Sequence, residues 1–312
     1  MTFRDKQIGR VLELMRDNSG IFNGDTGGGV FRGHNYDFVL EEPASNLYGG
    51  IADAAMEYFS RNNIAWWGGK EPVGHPLSSQ ITCVNHLFPL RQDAAAVLAV
   101  ARGVCPDIVQ MLPLLSDKFS PAYVQFEAVS DTDHLNEKTS TRGSNCTSID
   151  ALMLGETADG RRVLLVIEWK YIEAYGNENK AAEDAGEVRK QRYTELINQS
   201  GQLVADCHEI YYYEPFYQLM RQTLWAEQMV RHSDSERVKA DSYIHVHVIP
   251  ADNAKLLEKQ YTCSGLKMEA TWRGCLKEQN KYVIVTPEDF LKGIDGEEYA
   301  GLIGYLRVRY WA

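Results

Sequence analysis

Several common kinds of chemistry are missing from this 312-residue chain. Its six cysteines (Cys83, Cys105, Cys146, Cys207, Cys263 and Cys275) are scattered, and none forms a Cys-x-x-Cys pair. That pattern argues against a structural zinc site and fits free thiols in a reducing cytosol, so a cytoplasmic protein is expected. No Gly-x-Ser-x-Gly elbow occurs, which removes the usual signature of serine hydrolases. No apolar run approaches the ~20 residues that a membrane span needs. Met1 to Lys6 leads into an amphipathic pattern and does not read as a secretory signal. Basic residues are also short: 32 Lys and Arg face 43 Asp and Glu, for a formal charge of −11. No internal repeat or low-complexity tract stands out.

What remains is ordinary globular composition, 44% apolar and 24% charged, in a chain long enough to bury a sizeable core. The most informative segment runs from Ile149 to Lys170. Two short runs rich in Val, Leu and Ile flank Ala158-Asp159-Gly160, which predicts two strands joined by a three-residue loop with glycine in the left-handed position. If Thr157 pairs with Arg161, counting back along both strands sets Asp150 directly across from Glu168. Opposed residues share a face, with β-carbons about 4.5–5.5 Å apart. Lys170 lies two positions beyond Glu168 and shares that face, whereas Trp169 points the other way.

Two carboxylates this close repel, and burial raises the cost of charging both. A divalent cation would relieve the conflict, and hard oxygen ligands suit Mg²⁺, with Mn²⁺ as the alternative. Such a site could polarise a phosphoryl oxygen and activate water. Lys170 would orient or deprotonate that water, or stabilise developing charge. The plainer alternative is a structural ion-pair cluster in which Lys170 neutralises both acids.

Asp150 followed by Glu168-Trp169-Lys170 on the next strand resembles the motif of the PD-(D/E)XK nuclease superfamily, the fold of type II restriction endonucleases. His75-Pro76-Leu77-Ser78-Ser79-Gln80 through Asn85-His86-Leu87-Phe88-Pro89 is similar to an uncharacterised bacterial branch of it. The resemblance covers roughly residues 75–250. Ile149 replaces the name-giving proline. An acid often found on the family's first helix is not evident, since Gln80 and Asn85 stand there. The resemblance implies an α/β (α+β) fold, a mixed sheet flanked by helices. It also implies a metal-dependent nuclease in which Asp150 and Glu168, with the Trp169 carbonyl, hold the ion. Lys170 would act on the water, and Glu127 or Gln80 would complete the shell. DNA is the expected substrate and RNA the alternative.

The acidic balance runs against this expectation, because non-specific DNA affinity comes largely from lysine and arginine. A local basic surface could supply it. Arg142, Arg161, Arg162, Lys180, Arg189, Lys190 and Arg192 are the candidate phosphate contacts, with Arg142 on the loop Thr141 to Asn145 beside the Asp150 strand. Two other readings compete. One is a nuclease-like scaffold that binds nucleic acid or a protein without cutting. The other is a two-carboxylate glycoside hydrolase, for which the acid spacing would suffice but the lysine is unneeded.

Along the rest of the chain, residues 1–70 read as an extension with a helix stopped at Asn18-Ser19-Gly20. Residues 71–255 read as the core, and residues 256–312 as a strand–helix extension. Gly24 to Gly29 lacks a Gly-Lys-Ser/Thr ending and reads as a turn. A helix is expected over Asn46 to Arg61, and another region of helix over His75 to Val104, broken near Pro89. Trp66-Trp67 reads as core, with base stacking as the alternative. A strand is expected over Tyr123 to Val129, then a long polar loop from Ser130 to Asn145, then a charged helix from Ala181 to Leu203. An amphipathic helix is expected over Glu214 to Arg231. His245 and His247 share a strand face but read as ordinary strand residues. The oligomeric state, a homodimer included, stays open.

Overall fold

The computed structural model describes the chain except residues 68, 118–119, 140–145 and 312. Ten strands are assigned among the described residues: β1 (Val30–Phe31), β2 (His34–Asn35), β3 (Ile108–Leu112), β4 (Leu115–Asp117), β5 (Ser120–Ala122), β6 (Gln125–Ala128), β7 (Ile149–Thr157), β8 (Arg162–Trp169), β9 (Ser242–Val248) and β10 (Tyr282–Val285). Six of them form the central sheet, in the order β10-β9-β8-β7-β3, with β6 also paired to β7. β8, β9 and β10 run parallel, and the remaining pairs are antiparallel. One edge of β7 is shared: β6 takes its N-terminal half and β3 its C-terminal half.

The β7–β8 hairpin has the register that its turn dictates. The Thr157 amide donates to the Arg161 carbonyl, and Gly160 sits at φ +81°. Ala151 then pairs with Ile167, so Asp150 lies opposite Glu168.

Ten α-helices flank the sheet among the described residues: α1 (Phe3–Arg16), α2 (Ala52–Arg61), α3 (Ser79–Leu87), α4 (Ala94–Arg102), α5 (Gly186–Gln199), α6 (Phe216–Arg231), α7 (Ala254–Leu257), α8 (Met268–Gly274), α9 (Pro287–Phe290) and α10 (Ala300–Leu306). The period-two pattern of β7 and β8 divides their side chains between two cores. Ala151, Met153, Leu165, Ile167 and Trp169 join a cluster with residues of α1 to α4 and of the C-terminal segment. Leu152, Leu154, Leu164 and Val166 join a second cluster with α5, α6 and α8. The sheet is therefore covered on both faces, as a fold with near-continuous apolar strands requires.

Two local expectations differ from the structure. The helix expected over Asn46 to Arg61 is a short 3₁₀ turn at Pro43–Asn46 and then α2. α5 is shorter at both ends than Ala181 to Leu203, because Ala181 to Ala185 form turns that precede it. Arg307–Trp311 is a π-helical continuation of α10. There Arg309 is buried, and its guanidinium donates to the Asn46 carbonyl at 2.7 Å. No helix of the described residues is long and apolar enough to cross a membrane.

Candidate active site

The site lies where β7 begins and β8 ends. Phe126 pairs with Ala151 and Ala128 with Ile149, which sets Glu127 opposite Asp150. On the other flank Glu168 is opposite Asp150, and Glu168 pairs in turn with His247. Four titratable residues thus occupy one level of four neighbouring strands. Glu127 departs from extended geometry at φ +47°, a costly conformation for a side chain with a β-carbon.

Each carboxylate is held differently. Asp150 Oδ2 accepts the Trp169 amide at 2.7 Å, which ties the two strands together where the acids meet. Glu127 Oε1 accepts from Gln80 Nε2 at 2.9 Å, and its Oε2 accepts from the Ser148 hydroxyl at 3.0 Å. Gln80 comes from the first turn of α3, whose N-terminus is capped by Ser78. The Gln80 carbonyl oxygen accepts the Trp67 amide at 2.7 Å, so this one side chain joins the Trp67 turn to Glu127. Asn85, the other residue considered on that helix, is turned away and buried, bonded to Asn46, Tyr305 and Tyr310.

Glu168 is fully buried and pairs with the Lys170 ammonium. Its Oε2 accepts from Gln222 of α6, while its Oε1 touches only the ammonium and has no well-formed hydrogen bond. Lys170 donates also to Gln218 Oε1 at 2.7 Å. Gln218 and Gln222 are one turn apart on α6 and project from its otherwise apolar face. Gln222 continues the chain to His245 Nε2 at 3.1 Å, and Thr223 meets His245 Nδ1 at 3.2 Å. Burial holds the His245 pKa down at about 3, so its ring is neutral.

Burial, then Glu168, then Glu127 raise the Asp150 pKa well above the usual carboxylate range. Burial opposes the Lys170 ammonium, but Glu168, Tyr175, Glu173 and Asp150 together outweigh it and hold its pKa well above the ordinary lysine value. Its acidic neighbours thus favour the charged form of Lys170 over the neutral amine.

A cavity of 720 Å³ opens over part of this row. Asp150, Glu127, Glu173, Gln80, Trp67 and Arg32 are among the residues that line it. Glu168 and Lys170 are absent from its walls, because α6 covers them. The three motif residues are thus brought together as expected, but only Asp150 meets the open space. Among the described residues no group of three or more His, Cys, Asp and Glu is arranged so that it could hold a metal ion. The donor chemistry nonetheless fits a hard divalent cation: the oxygens belong to carboxylates, and burial with the neighbouring acids pushes Asp150 toward protonation, a cost that a cation would relieve.

A buried knot supports the start of β7. Glu137 accepts from the Thr147 amide and hydroxyl, each at 2.6 Å, from the Tyr193 hydroxyl at 2.7 Å and from Arg221 at 3.0 Å. It fixes the end of the polar loop to α5 and α6, three residues before Asp150. Nothing in the local pattern of Ser130 to Asn145 marked this residue. Of the expected phosphate contacts, Arg142 lies outside the described residues. Lys190 is on α5 and pairs with Glu187 at 2.8 Å. Arg192 is half-buried on the same helix, with Nε lacking a partner.

A mixed sheet covered by helices, with an acid on one strand opposite a Glu-x-Lys on the next, defines a restriction-endonuclease-like PD-(D/E)XK fold. Residues 13–311 match the family described as Restriction Endonuclease associating with ARP, and the chain belongs to that family. No curated protein and no solved structure matches it.

Proposed function

We propose that this protein is a divalent-metal-dependent nuclease that hydrolyses phosphodiester bonds, with DNA as its substrate. The observation that carries the reading is the row Glu127, Asp150 and Glu168 across three adjacent strands, with a cavity over Asp150 and Glu127. Asp150 and Glu168, with the Trp169 carbonyl, would hold Mg²⁺ or Mn²⁺. A bound ion of that kind supplies charge stabilisation to a phosphoryl oxygen and lowers the pKa of water.

This chain's residues do the rest. Lys170 stays protonated, offsets the Glu168 charge and keeps a positive field beside the reacting phosphate. Glu127, fixed by Gln80 and Ser148, is the cavity-facing carboxylate that orients the attacking water. Arg142, Lys190 and Arg192 would meet backbone phosphates, Lys190 exchanging Glu187 for one of them. Membership in a family of restriction endonucleases favours nucleic acid over a glycoside.

One observation favours a second reading. Glu168 and Lys170 are sealed under α6, as in a scaffold that binds nucleic acid without cutting it. Plasmid and oligonucleotide cleavage with Mg²⁺ or Mn²⁺ separates the two, run on wild type, Asp150→Asn and Lys170→Ala. The nuclease reading expects cleavage by wild type and a loss of 100-fold or more, on the order typical of lost transition-state electrostatics, in both variants. Equal rates in all three, or no cleavage by any, would refute it.

A further inference from the structure

The cavity above Asp150 has a second wall that the proposed hydrolysis does not use. Trp66 and Gly69 exchange backbone hydrogen bonds at 3.0 Å, closing a tight turn. Trp66 faces inward and stacks on Phe59, with ring centroids 3.8 Å apart and planes 8° apart. Trp67 does the opposite: it is 47% exposed and lines the cavity with Asp150. The β1–β2 hairpin packs directly against it. Phe31 lies 5.3 Å from the Trp67 ring, tilted by 41°, and the Arg32 guanidinium lies 5.2 Å from the Trp67 centroid.

Arg32 occupies the first position of the two-residue hairpin turn at φ +51°, with Gly33 at +81°. Turns of this kind favour Asn, Asp or Gly there, and an arginine pays a conformational cost. Among the described ion pairs Arg32 has no carboxylate partner, and Arg4, also exposed, lines the same cavity. The cavity lining thus combines three carboxylates with aromatic rings and two guanidinium groups. Its volume is within the range, roughly 300–1,000 Å³, of sites that enclose a small organic group.

We infer that Trp67, Phe31 and Arg32 form a stacking platform for an unpaired nucleobase, with Arg32 and Arg4 meeting its flanking phosphates. The inference rests on the nuclease reading and narrows it to substrates with a single-stranded or unpaired nucleotide beside the scissile bond. A base inside an intact duplex has no face to offer Trp67, whereas every unpaired base does. Gln80 adds a mechanical link. Its carbonyl oxygen holds the Trp67 amide and its amide holds Glu127, so occupation of the platform bears directly on the cavity carboxylate.

The test is binding in EDTA, where hydrolysis is blocked. Fluorescein-labelled oligothymidylate of 12 nucleotides and a blunt duplex of equal length are titrated with wild type, Trp67→Ala and Trp67→Phe, and anisotropy is read. Trp67→Ala should weaken single-strand binding about tenfold, with duplex binding unchanged, and Trp67→Phe should restore most of the loss. Unlabelled oligonucleotide should quench tryptophan emission in wild type and not in Trp67→Phe, although both bind. Equal single-strand binding by Trp67→Ala and wild type, persistent quenching in Trp67→Phe, or no binding by wild type would overturn the platform. Loss of the platform leaves cleavage and its dependence on Asp150 as a separate outcome, so the two failures are distinguishable.

Discussion

Asp150 Oδ2 accepts the backbone amide of Trp169 at 2.7 Å, so a carboxylate on β7 is clamped to the strand that carries Glu168. An asparagine oxygen can accept the same bond. Asp150→Asn therefore removes the charge and preserves the geometry, which makes it the informative substitution at this site.

Stability should show what that charge costs. The folded-state pKa of Asp150 is raised by burial, Glu168 and Glu127. The folded chain thus holds a proton that the unfolded chain releases, and this contribution is lost as pH rises from the ordinary aspartate range through the folded value. In metal-free buffer at neutral pH, Asp150→Asn should melt above wild type, with the gap narrowing as pH falls. Saturating Mg²⁺ should reverse the order, since ligand at 100 times its Kd stabilises the wild type by about 2.7 kcal/mol. Thermal melts at several pH values, with and without Mg²⁺, check both signs.

Glu168 and Lys170 should behave as a buried pair. Lys170→Met strands the Glu168 carboxylate under α6 and should cost about 3–5 kcal/mol. The double variant Glu168→Gln with Lys170→Met leaves no unpaired charge and should recover most of that loss. Urea denaturation of the single and double variants measures the coupling; additive losses would contradict it.

Gln80 is predicted to matter for turnover more than for stability. Gln80→Ala frees Glu127 on one side and the Trp67 turn on the other. Losing such support for a site side chain typically costs 10- to 100-fold in activity. The expected result is a fall in kcat of about tenfold, with a denaturation midpoint near that of wild type.

Glu137→Gln tests the knot behind β7. Arg221 keeps a neutral partner but loses its buried counter-charge, so a destabilisation of about 3 kcal/mol is expected. Cleavage should fall with it, because Thr147 no longer anchors the approach to Asp150. Circular dichroism melts and the plasmid assay read the two effects separately.

The hairpin was legible in the sequence because its register is local. A three-residue loop ending at Gly160 leaves one pairing that keeps both apolar sets inside, and Asp150 then meets Glu168. The β9 and β10 strands and α6 were legible for the same reason, through period-two and helical patterns. The fate of Lys170 was not. Its cover comes from Gln218 and Gln222, about fifty residues later, and their spacing of four on an apolar helix face was the available signal. Glu127 could be named but not placed, since nothing in the local pattern signals its left-handed backbone. The burial of Arg309 was not legible either, because the segment continues α10 and sets its guanidinium against Asn46, far away in sequence.

Calorimetric titration of Mg²⁺ and Mn²⁺ into wild type and Asp150→Asn, in two buffers of different ionisation enthalpy, addresses the metal site without relying on turnover. Binding by wild type that releases a proton and tightens with pH, and its absence in Asp150→Asn, is the expected result. Indistinguishable titrations of the two proteins would mean that Asp150 holds no metal.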